Sequence, residues 1–506
     1  TRSDQIDSIV TNKYLAIPVF LLMMLAMFAL TFGPLGSLLS DGVETLVGDW
    51  FAGWVDGALT AAGVAPWVNS LLVEGVIAGV GGVLTFLPQI ALLFLFLSIL
   101  EDSGYMARAA FVMDRLMQAL GLPGKSFVPL IVGFGCNVPS VMGARTLDAP
   151  RERLMTIMMA PFMSCGARLA IFAVFAAAFF GQNGALAVFS LYMLGIVMAV
   201  LTGLMLKYTI MRGEATPFVM ELPVYHVPHV KSLIIQTWQR LKGFVLRAGK
   251  VIIIVSIFLS AFNSFSLSGK IVDNINDSAL ASVSRVITPV FKPIGVHEDN
   301  WQATVGLFTG AMAKEVVVGT LNTLYTAENI QDEEFNPAEF NLGEELFSAI
   351  DETWQSLKDT FSLSVLMNPI EASKGDGEMG TGAMGVMDQK FGSAAAAYSY
   401  LIFVLLYVPC ISVMGAIARE SSRGWMGFSI LWGLNIAYSL ATLFYQVASY
   451  SQHPTYSLVC ILAVILFNIV VIGLLRRARS RVDIELLATR KSVSSCCAAS
   501  TTGDCH

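Results

Sequence analysis

Charged residues are scarce in this sequence. Asp, Glu, Lys and Arg make up 13% of its 506 residues, whereas 55% are hydrophobic, and this balance excludes an ordinary soluble globule. Apolar runs of about 20 residues recur along the chain, and each is long enough to cross a hydrocarbon core of about 30 Å. We therefore predict an all-α polytopic membrane protein.

Motifs of nucleotide chemistry and hydrolysis are also missing. The stretch Gly121–Ser126 ends like a phosphate-binding loop, but Ala119 stands where that loop needs a glycine, and no strand precedes it. The sequence contains no Ser/His/Asp arrangement and no metalloprotease pattern. The prediction is that this chain is not an enzyme.

Cysteine does not form an extracellular disulfide framework here, because the count is odd and several cysteines lie in apolar segments. The tail SSCCAASTTGDCH holds three cysteines beside His506, which fits either metal capture or a reduced, disordered tail. The seven cysteines are Cys136, Cys165, Cys410, Cys460, Cys496, Cys497 and Cys505.

Basic residues are absent between Lys13 and Arg108. The loop 34–66 in this gap is acidic, so we expect it outside and the N-terminus in the cytoplasm. The basic C-terminal stretch Arg476–Arg481 is then expected inside as well, in a multi-pass protein of the bacterial inner membrane. The apolar segments are 15–33, 83–103, 126–147, 152–181, 185–211, 246–266, 301–325, 395–418, 424–447 and 456–476.

The segment Gly133–Arg145 reads GFGCNVPSVMGAR and is unusual for a membrane helix. Gly133, Gly135 and Pro139 weaken a helix, and basic residues flank the segment on both sides. A hairpin that enters and leaves from the cytoplasm explains both facts, since freed backbone groups are tolerated at depth beside protein or a wet cavity. Residues 395–418, with Pro409 inside, are predicted as a second hairpin, which leaves about eight transmembrane helices.

An internal repeat is indicated by two ordered matches. SVMGA occurs at Ser140–Ala144 and Ser412–Ala416, and GYMAR at Gly104–Arg108 corresponds to GAMAK at Gly310–Lys314. We expect two parallel repeats, with inverted repeats as the alternative if either hairpin crosses the membrane; transporters hold substrate at such repeat interfaces. The insert 326–391, with 14 acidic and 3 basic residues, is placed in the cytoplasm. The predicted domains are 1–245, 246–480 and a Cys-rich cytoplasmic tail, 481–506.

Cys136 and Cys410 lie in the two matched broken segments, and Cys165 lies in the next span, in PFMSCGAR. Thiolate and thioether ligands select soft or borderline divalent metals, and Met163 adds a nearby thioether. The alternative is that these cysteines pack as small hydrophobes, which we take to be the role of Cys460.

Polar residues in apolar surroundings complete the candidate site. Glu315 lies within 301–325, where a charge costs about 2.5–3.5 kcal/mol and usually faces a cavity or a partner. Glu101 and Asp102 end an apolar run and are either interfacial or deeper metal ligands. Asn137 offers an oxygen to a metal, or else its amide bonds a carbonyl freed at the break.

Several long motifs in the chain resemble the membrane domain of the bacterial ferrous iron transporter FeoB. The motifs are LEDSGYMARAAFVMDRLM, GFGCNVPSVMGART, APFMSCGARL, AKEVVVGTLNTLY and VPCISVMGA. The resemblance runs from DQIDSIVTNKYLAIPVF through the last span. It implies Fe²⁺ uptake through two gate regions, with the conserved cysteines of the family at Cys136, Cys165 and Cys410.

Family members also carry an N-terminal GTPase domain, which would bind GTP and Mg²⁺, and a helical regulatory domain. This sequence has neither, and because it opens at Thr1 without a signal peptide we expect a piece of a longer protein. The resemblance implies the small cytoplasmic partners FeoA and FeoC. The chain is expected to bind membrane lipid and no nucleic acid. Whether it forms a homo-oligomer is left open by the sequence. The alternatives are a nucleoside-like organic solute carrier and a scaffold without transport activity.

Overall fold

The computed structural model confirms the all-α class, since no strand occurs among the residues that it describes. The predicted span 246–266 and most of the acidic insert 326–391 lie outside these residues. The described residues are 7–8, 10–12, 15–32, 34–64, 72–73, 77–211, 225–226, 228–246, 254, 257, 262, 266, 278–312, 314, 316–326 and 381–499.

The described α-helices are joined by short turns, 3-10 segments and π segments. In chain order they are α1 Ala16–Phe32, α2 Pro34–Glu44, α3 Ala52–Ala61, α4 Ala78–Asp102, α5 Tyr105–Leu120, α6 Phe127–Gly135, α7 Asn137–Gly143, α8 Pro150–Met159, α9 Gly166–Phe175, α10 Gly184–Thr209, α11 Val230–Phe244, α12 Ala279–Ile287, α13 Trp301–Met312, α14 Val316–Thr326, α15 Thr381–Phe391, α16 Ala394–Leu406, α17 Ile411–Glu420, α18 Arg423–Ala448 and α19 Pro454–Ala499.

Six helical segments of the described chain are long and apolar enough to cross a membrane, which confirms the polytopic prediction. Helix α1 is apolar but somewhat shorter. Helix α5 and the segment Gly124–Gly135 form a pair bent by 101°. The six span-length segments are Leu84–Asp102, Pro150–Phe180, Gly184–Thr209, Ala394–Glu420, Arg423–Ala448 and Pro454–Arg477.

The first predicted break is present between α6 and α7. Cys136 is extended, with φ −151° and ψ 128°, because Pro139 has no N–H to donate to the carbonyl of Gly135 and its ring crowds that carbonyl. The two helices then fold back on each other. The Ser140 hydroxyl donates to the Pro129 carbonyl at 2.6 Å, so α6 and α7 form a hairpin, hairpin 1.

The two flanks of hairpin 1 meet at its base. The Lys125 ammonium lies 3.8 Å from the Asp148 carboxylate, although the whole hairpin separates these residues in sequence. A segment that starts and ends at the same place leaves on the side from which it entered. The geometry therefore supports the predicted re-entrant hairpin.

The prediction of a single span at 301–325 is wrong. Helices α13 and α14 instead fold back on each other and form a second hairpin, hairpin 2. A side chain added at Gly306 would meet Leu321 at 3.0 Å, and one at Gly310 would meet Val317 at 2.8 Å. Residues fifteen and seven positions apart can touch in this way only when the two helices run antiparallel. Glycines four residues apart allow this close approach.

The predicted second hairpin, 395–418, is also corrected. Proline at position 409 does break the helix, and Cys410 is extended with φ −59° and ψ 155°. The two halves nevertheless form one span-length unit, Ala394–Glu420, because α18 packs along both α16 and α17. Gly433 of α18 lies beneath the break, where an added Cβ would be 3.2 Å from the carbonyl of Tyr407.

The span Pro150–Phe180 is broken in a similar way at its centre. Helix α8 ends at Met159, a 3-10 turn at Ala160–Phe162 follows, and Cys165 is extended with φ −83° and ψ 164° before α9 begins. Pro161 removes the hydrogen bond that would continue α8. The chain thus repeats the same order twice: a helical hairpin followed by a broken span. The first SVMGA copy lies in hairpin 1, and the second lies in the second broken span, Ala394–Glu420.

The core surrounds these four interrupted elements. Helix α10 buries a face of small residues against the first broken span: a Cβ at Gly195 would be 2.8 Å from the Phe162 carbonyl, and one at Gly203 would be 2.7 Å from the Met159 sulfur. Small residues let helix backbones approach closely in a membrane, where the hydrophobic effect gives little drive for helix association. This packing fixes the position of the break at Cys165.

Candidate metal path

A cavity of about 110 Å³ lies where the turns of both hairpins meet the breaks of both broken spans. Cys136 comes from hairpin 1, Cys165 from the first broken span and Cys410 from the second. Lys314 comes from the turn of hairpin 2. The described lining residues are Phe86, Gln89, Ile90, Leu93, Gly135, Cys136, Asn137, Val138, Cys165, Ala167, Arg168, Lys314, Cys410, Ser412 and Val413.

The three cysteines share one backbone environment. Cys136, Cys165 and Cys410 are each half-buried, and each is the extended residue directly before a helix, namely α7, α9 and α17. A nearby proline causes each of these breaks. The sequence therefore predicts correctly that the cysteines of hairpin 1 and of Ala394–Glu420 lie at broken helices, and Cys165, the third predicted thiol, lines the same cavity.

Asn137 supports the break of hairpin 1 while it lines the cavity. With its amide nitrogen turned toward them, Asn137 donates to the carbonyls of Gly133 and Ala160 at 3.0 Å each. The bond to Gly133 closes the break within hairpin 1, and the bond to Ala160 connects hairpin 1 to the 3-10 turn before Cys165. Met163 is buried and lies near the cavity, but it is not among the described residues that line it.

The predicted carboxylates are not found at the cavity in the described part of the chain. Glu101 is exposed at the end of α4 and accepts a hydrogen bond from Arg240 at 2.7 Å. Asp102 follows it and is half-buried, and neither residue is among the described lining residues. Glu315 lies outside the described residues.

Two buried cations line the cavity and are missing from the predicted site. Arg168 is 1% exposed and donates to the carbonyls of Pro161 and Met163 at 3.0–3.2 Å. Lys314 is 2% exposed, and its ammonium lies 4.9 Å from the centre of the Tyr407 ring. The signal for both is a charged residue inside an apolar run, which usually faces a cavity or a partner.

No group of three or more His, Cys, Asp or Glu side chains could hold a metal ion together within the described part of the chain. The three thiols therefore share a cavity without forming a closed metal centre there. A resident structural metal would need a complete tetrahedral or octahedral ligand set.

An ion pair connects the two cysteine-bearing elements at the ends farthest from the thiols. Arg145, just after α7, donates to both carboxylate oxygens of Glu420 at the end of α17, one of them at 2.7 Å. Glu420 is 5% exposed. Because α7 and α17 directly follow Cys136 and Cys410 and pack against each other, this pair lies where it can help to hold the two thiols in place.

Comparisons with known proteins agree with this architecture. The family model Gate, described as nucleoside recognition, matches residues 83–179 and 245–423. A second model, described as ferrous iron transport protein B C terminus, matches residues 188–240. The chain belongs to the FeoB family. Each Gate match of this FeoB-family chain contains one hairpin and the broken span that follows it, which supports an internal repeat.

Similar curated proteins carry the name Fe(2+) transporter FeoB. The protein of Escherichia coli strain K12 is 87% identical over 504 residues, which are 99% of this chain and 65% of that relative. The proteins of Shigella flexneri and of Salmonella typhimurium strain LT2 are 86% and 82% identical over 504 and 503 residues. The chain thus spans 65% of the length of these FeoB relatives. No solved structure gives a significant match to it.

Proposed function

We propose that this chain forms the membrane path through which a FeoB-type protein takes up Fe²⁺ across the bacterial inner membrane. The observation that carries the proposal is the convergence of three thiols, each at a proline-linked helix break, on one cavity of about 110 Å³. The names of the FeoB relatives support Fe²⁺ as the transported ion.

The chemistry of the cavity suits a borderline divalent cation. Sulfur ligands favour Fe²⁺ over Mg²⁺ and Ca²⁺, which prefer sites made of oxygen. We assign Cys136 and Cys410 as paired gate ligands and Cys165 as the flanking thiol. An ion in transit must bind such a site well enough to lose water and weakly enough to leave.

An organic solute is less compatible with this cavity. Pockets for small organic molecules measure about 300–1,000 Å³, whereas this cavity measures about 110 Å³, and its lining includes three thiols and two cations. A scaffold without transport activity would not need two hairpins that meet two broken spans. The Gate description therefore supports a shared architecture rather than a nucleoside substrate.

The remaining features of the proposal follow from the resemblance. An N-terminal GTPase region, which binds GTP and Mg²⁺, would regulate the path, with FeoA and FeoC as small cytoplasmic partners. Both termini are proposed to be cytoplasmic, with the halves 1–245 and 246–480 and the tail 481–506. Glu315 and Met163 stay candidate ligands, whereas Glu101 and Asp102 are not among the described residues that line the cavity, and Cys505 and His506 lie outside the described residues.

Uptake of radioactive iron tests the proposal in cells that lack other ferrous transporters. The chain is expressed together with the N-terminal third of its E. coli relative, as wild type and as Cys136→Ser, Cys165→Ser and Cys410→Ser variants. We expect each variant to lower the initial rate of Fe²⁺ uptake about tenfold or more, because oxygen replaces a sulfur ligand.

Cys460→Ser is the matched control. It replaces sulfur with oxygen in the same way, but Cys460 lies within the uninterrupted helix α19. We expect wild-type uptake for this variant. If all three cavity variants transport at the wild-type rate, the ligand role is excluded. If the wild type carries nucleosides but no iron in the same cells, the proposed substrate is wrong.

A further inference from the structure

Helix α11 presents an apolar face to the outside of the protein. Val230, Ile234, Ile235 and Trp238 are 69, 59, 46 and 63% exposed, and their helical spacing places them on one side. Leu233, on the other side of the helix, is buried where α11 packs against α4. A contiguous apolar patch that contains tryptophan marks a surface that another molecule or a membrane covers.

Two contacts place α11 at the level where α4 leaves the membrane. Within α11, Arg240 donates to Glu101 at 2.7 Å, and Glu101 follows the apolar run of α4. Before α11, the ring of Tyr225 lies 4.0 Å from the guanidinium of Arg108, just after α4. Both flanks of α11 are therefore held at the same end of a membrane-spanning helix, which places α11 along the membrane surface.

Length and charge point to the same position. The described helix α11 has 15 residues with three basic side chains, whereas a membrane span takes about 20 predominantly apolar residues. It contains Lys231, Arg240 and Lys242 and no acidic residue. Lys231 and Lys242 are exposed, and at 100° per residue they fall on the same side as Trp238, near opposite ends of the helix.

We propose that α11 lies in the headgroup layer, in the leaflet where α4 ends, and that Lys231 and Lys242 bind the phosphate groups of anionic phospholipids. Trp238 and the isoleucines enter the boundary between headgroups and acyl chains, where indole rings accumulate. Basic side chains beside an anionic leaflet add attraction at the surface, while their stems cover apolar surface. The inference does not depend on the transported substrate.

Fluorescence quenching tests the position of the helix. The whole protein is reconstituted into nanodiscs with lipids brominated near the headgroup or near the chain end, and the difference between wild type and Trp238→Phe isolates the indole at 238. We expect stronger quenching by the bromines near the headgroup, and little quenching by aqueous iodide. Quenching by iodide with no effect of either brominated lipid would overturn the proposal, because the face would then be in water.

Lipid selectivity tests the role of the lysines. Phosphatidylglycerol retained by the purified protein in mixed phosphatidylcholine discs is compared between wild type and the Lys231→Gln/Lys242→Gln variant. We expect the affinity to fall at least about fivefold, since one basic residue near an anionic surface contributes about that factor. Lys292→Gln, at an exposed residue paired with Glu298, is the control. Equal retention by all three proteins contradicts headgroup binding by α11.

Discussion

Arg168 keeps a charge in a fully buried position beside the cavity. Its guanidinium satisfies the carbonyls of Pro161 and Met163, which the break before Cys165 leaves without helical partners. A buried carbonyl without a partner costs about 1–3 kcal/mol. The side chain of Arg168 thus holds the backbone geometry that presents Cys165.

Arg168→Lys tests this role, because lysine keeps the charge but cannot bridge both carbonyls in a fork. We expect a loss of about 1–3 kcal/mol in the free energy of unfolding, measured as a lower melting temperature in detergent. Arg240→Lys, in an exposed pair with Glu101, should cost less than about 1 kcal/mol. Equal effects of the two variants would contradict the bridging role.

Gly195 and Gly427 test whether close helix contacts hold the bundle together. A Cβ at Gly195 would be 2.8 Å from the Phe162 carbonyl, whereas one at Gly427 would meet nothing within 4 Å. Gly195→Ala should therefore lower stability by about 1–3 kcal/mol through overpacking. Gly427→Ala, the same change in a helix, should be neutral or stabilising by up to about 1 kcal/mol. The thermal unfolding temperatures of both variants are compared with that of the wild type. A Gly195→Ala variant that is more stable than the wild type would disprove the close contact.

At the scale of whole elements, the pair of Arg145 and Glu420 connects hairpin 1 to the second broken span. The Glu420 side chain is 4% exposed and that of Arg145 is 54% exposed, so solvent screens only one partner. Breaking a fully buried pair costs about 3–5 kcal/mol, and we expect about 1–3 kcal/mol here because Arg145 is accessible to water.

A double-mutant cycle with Arg145→Gln and Glu420→Gln measures the coupling of these two elements. We expect an interaction energy of about 1–2 kcal/mol, because contacting charged residues are not additive. The cycle at Lys292 and Glu298, an ion pair with both side chains about 60% exposed, should give less than about 1 kcal/mol. A coupling near zero for the first pair would show that α7 and α17 hold together without it.

At the scale of the whole molecule, the exchange of roles between 301–325 and 395–418 replaces one predicted crossing with another within the described residues. It alters the relation between the halves. If 246–266 crosses the membrane, hairpin 1 and hairpin 2 approach the cavity from opposite sides, which is the arrangement of an inverted repeat rather than the parallel repeat that the sequence predicts.

Labelling with an impermeant maleimide measures this relation. Single cysteines are introduced by Lys125→Cys and Asp148→Cys, on the two sides of hairpin 1, and by Glu298→Cys, at an exposed residue before hairpin 2. We expect the first two to react from the cytoplasmic side and the third from the opposite side. Reaction of all three from the cytoplasm would restore the parallel repeat. Opposite sides for Lys125 and Asp148 would mean that hairpin 1 crosses.

The sequence by itself determines the class and the positions of two breaks. Hydrophobic runs require membrane helices, since backbone groups in lipid must bond within their own segment. Pro139 and Pro409 show where those bonds fail, so the cysteines beside them were correctly predicted at interrupted helices. The same local rule indicates Arg168 and Lys314 as buried charges that need a cavity.

Only the tertiary structure decides which broken elements fold back. A proline frees hydrogen bonds but does not set the direction of the next helix; that depends on what the helix packs against. Gly306 and Gly310 let α14 lie against α13, whereas α18 supports α16 and α17 as one span. The meeting of three thiols at one cavity depends on these contacts between residues distant in sequence, and no pattern within a single segment contains them.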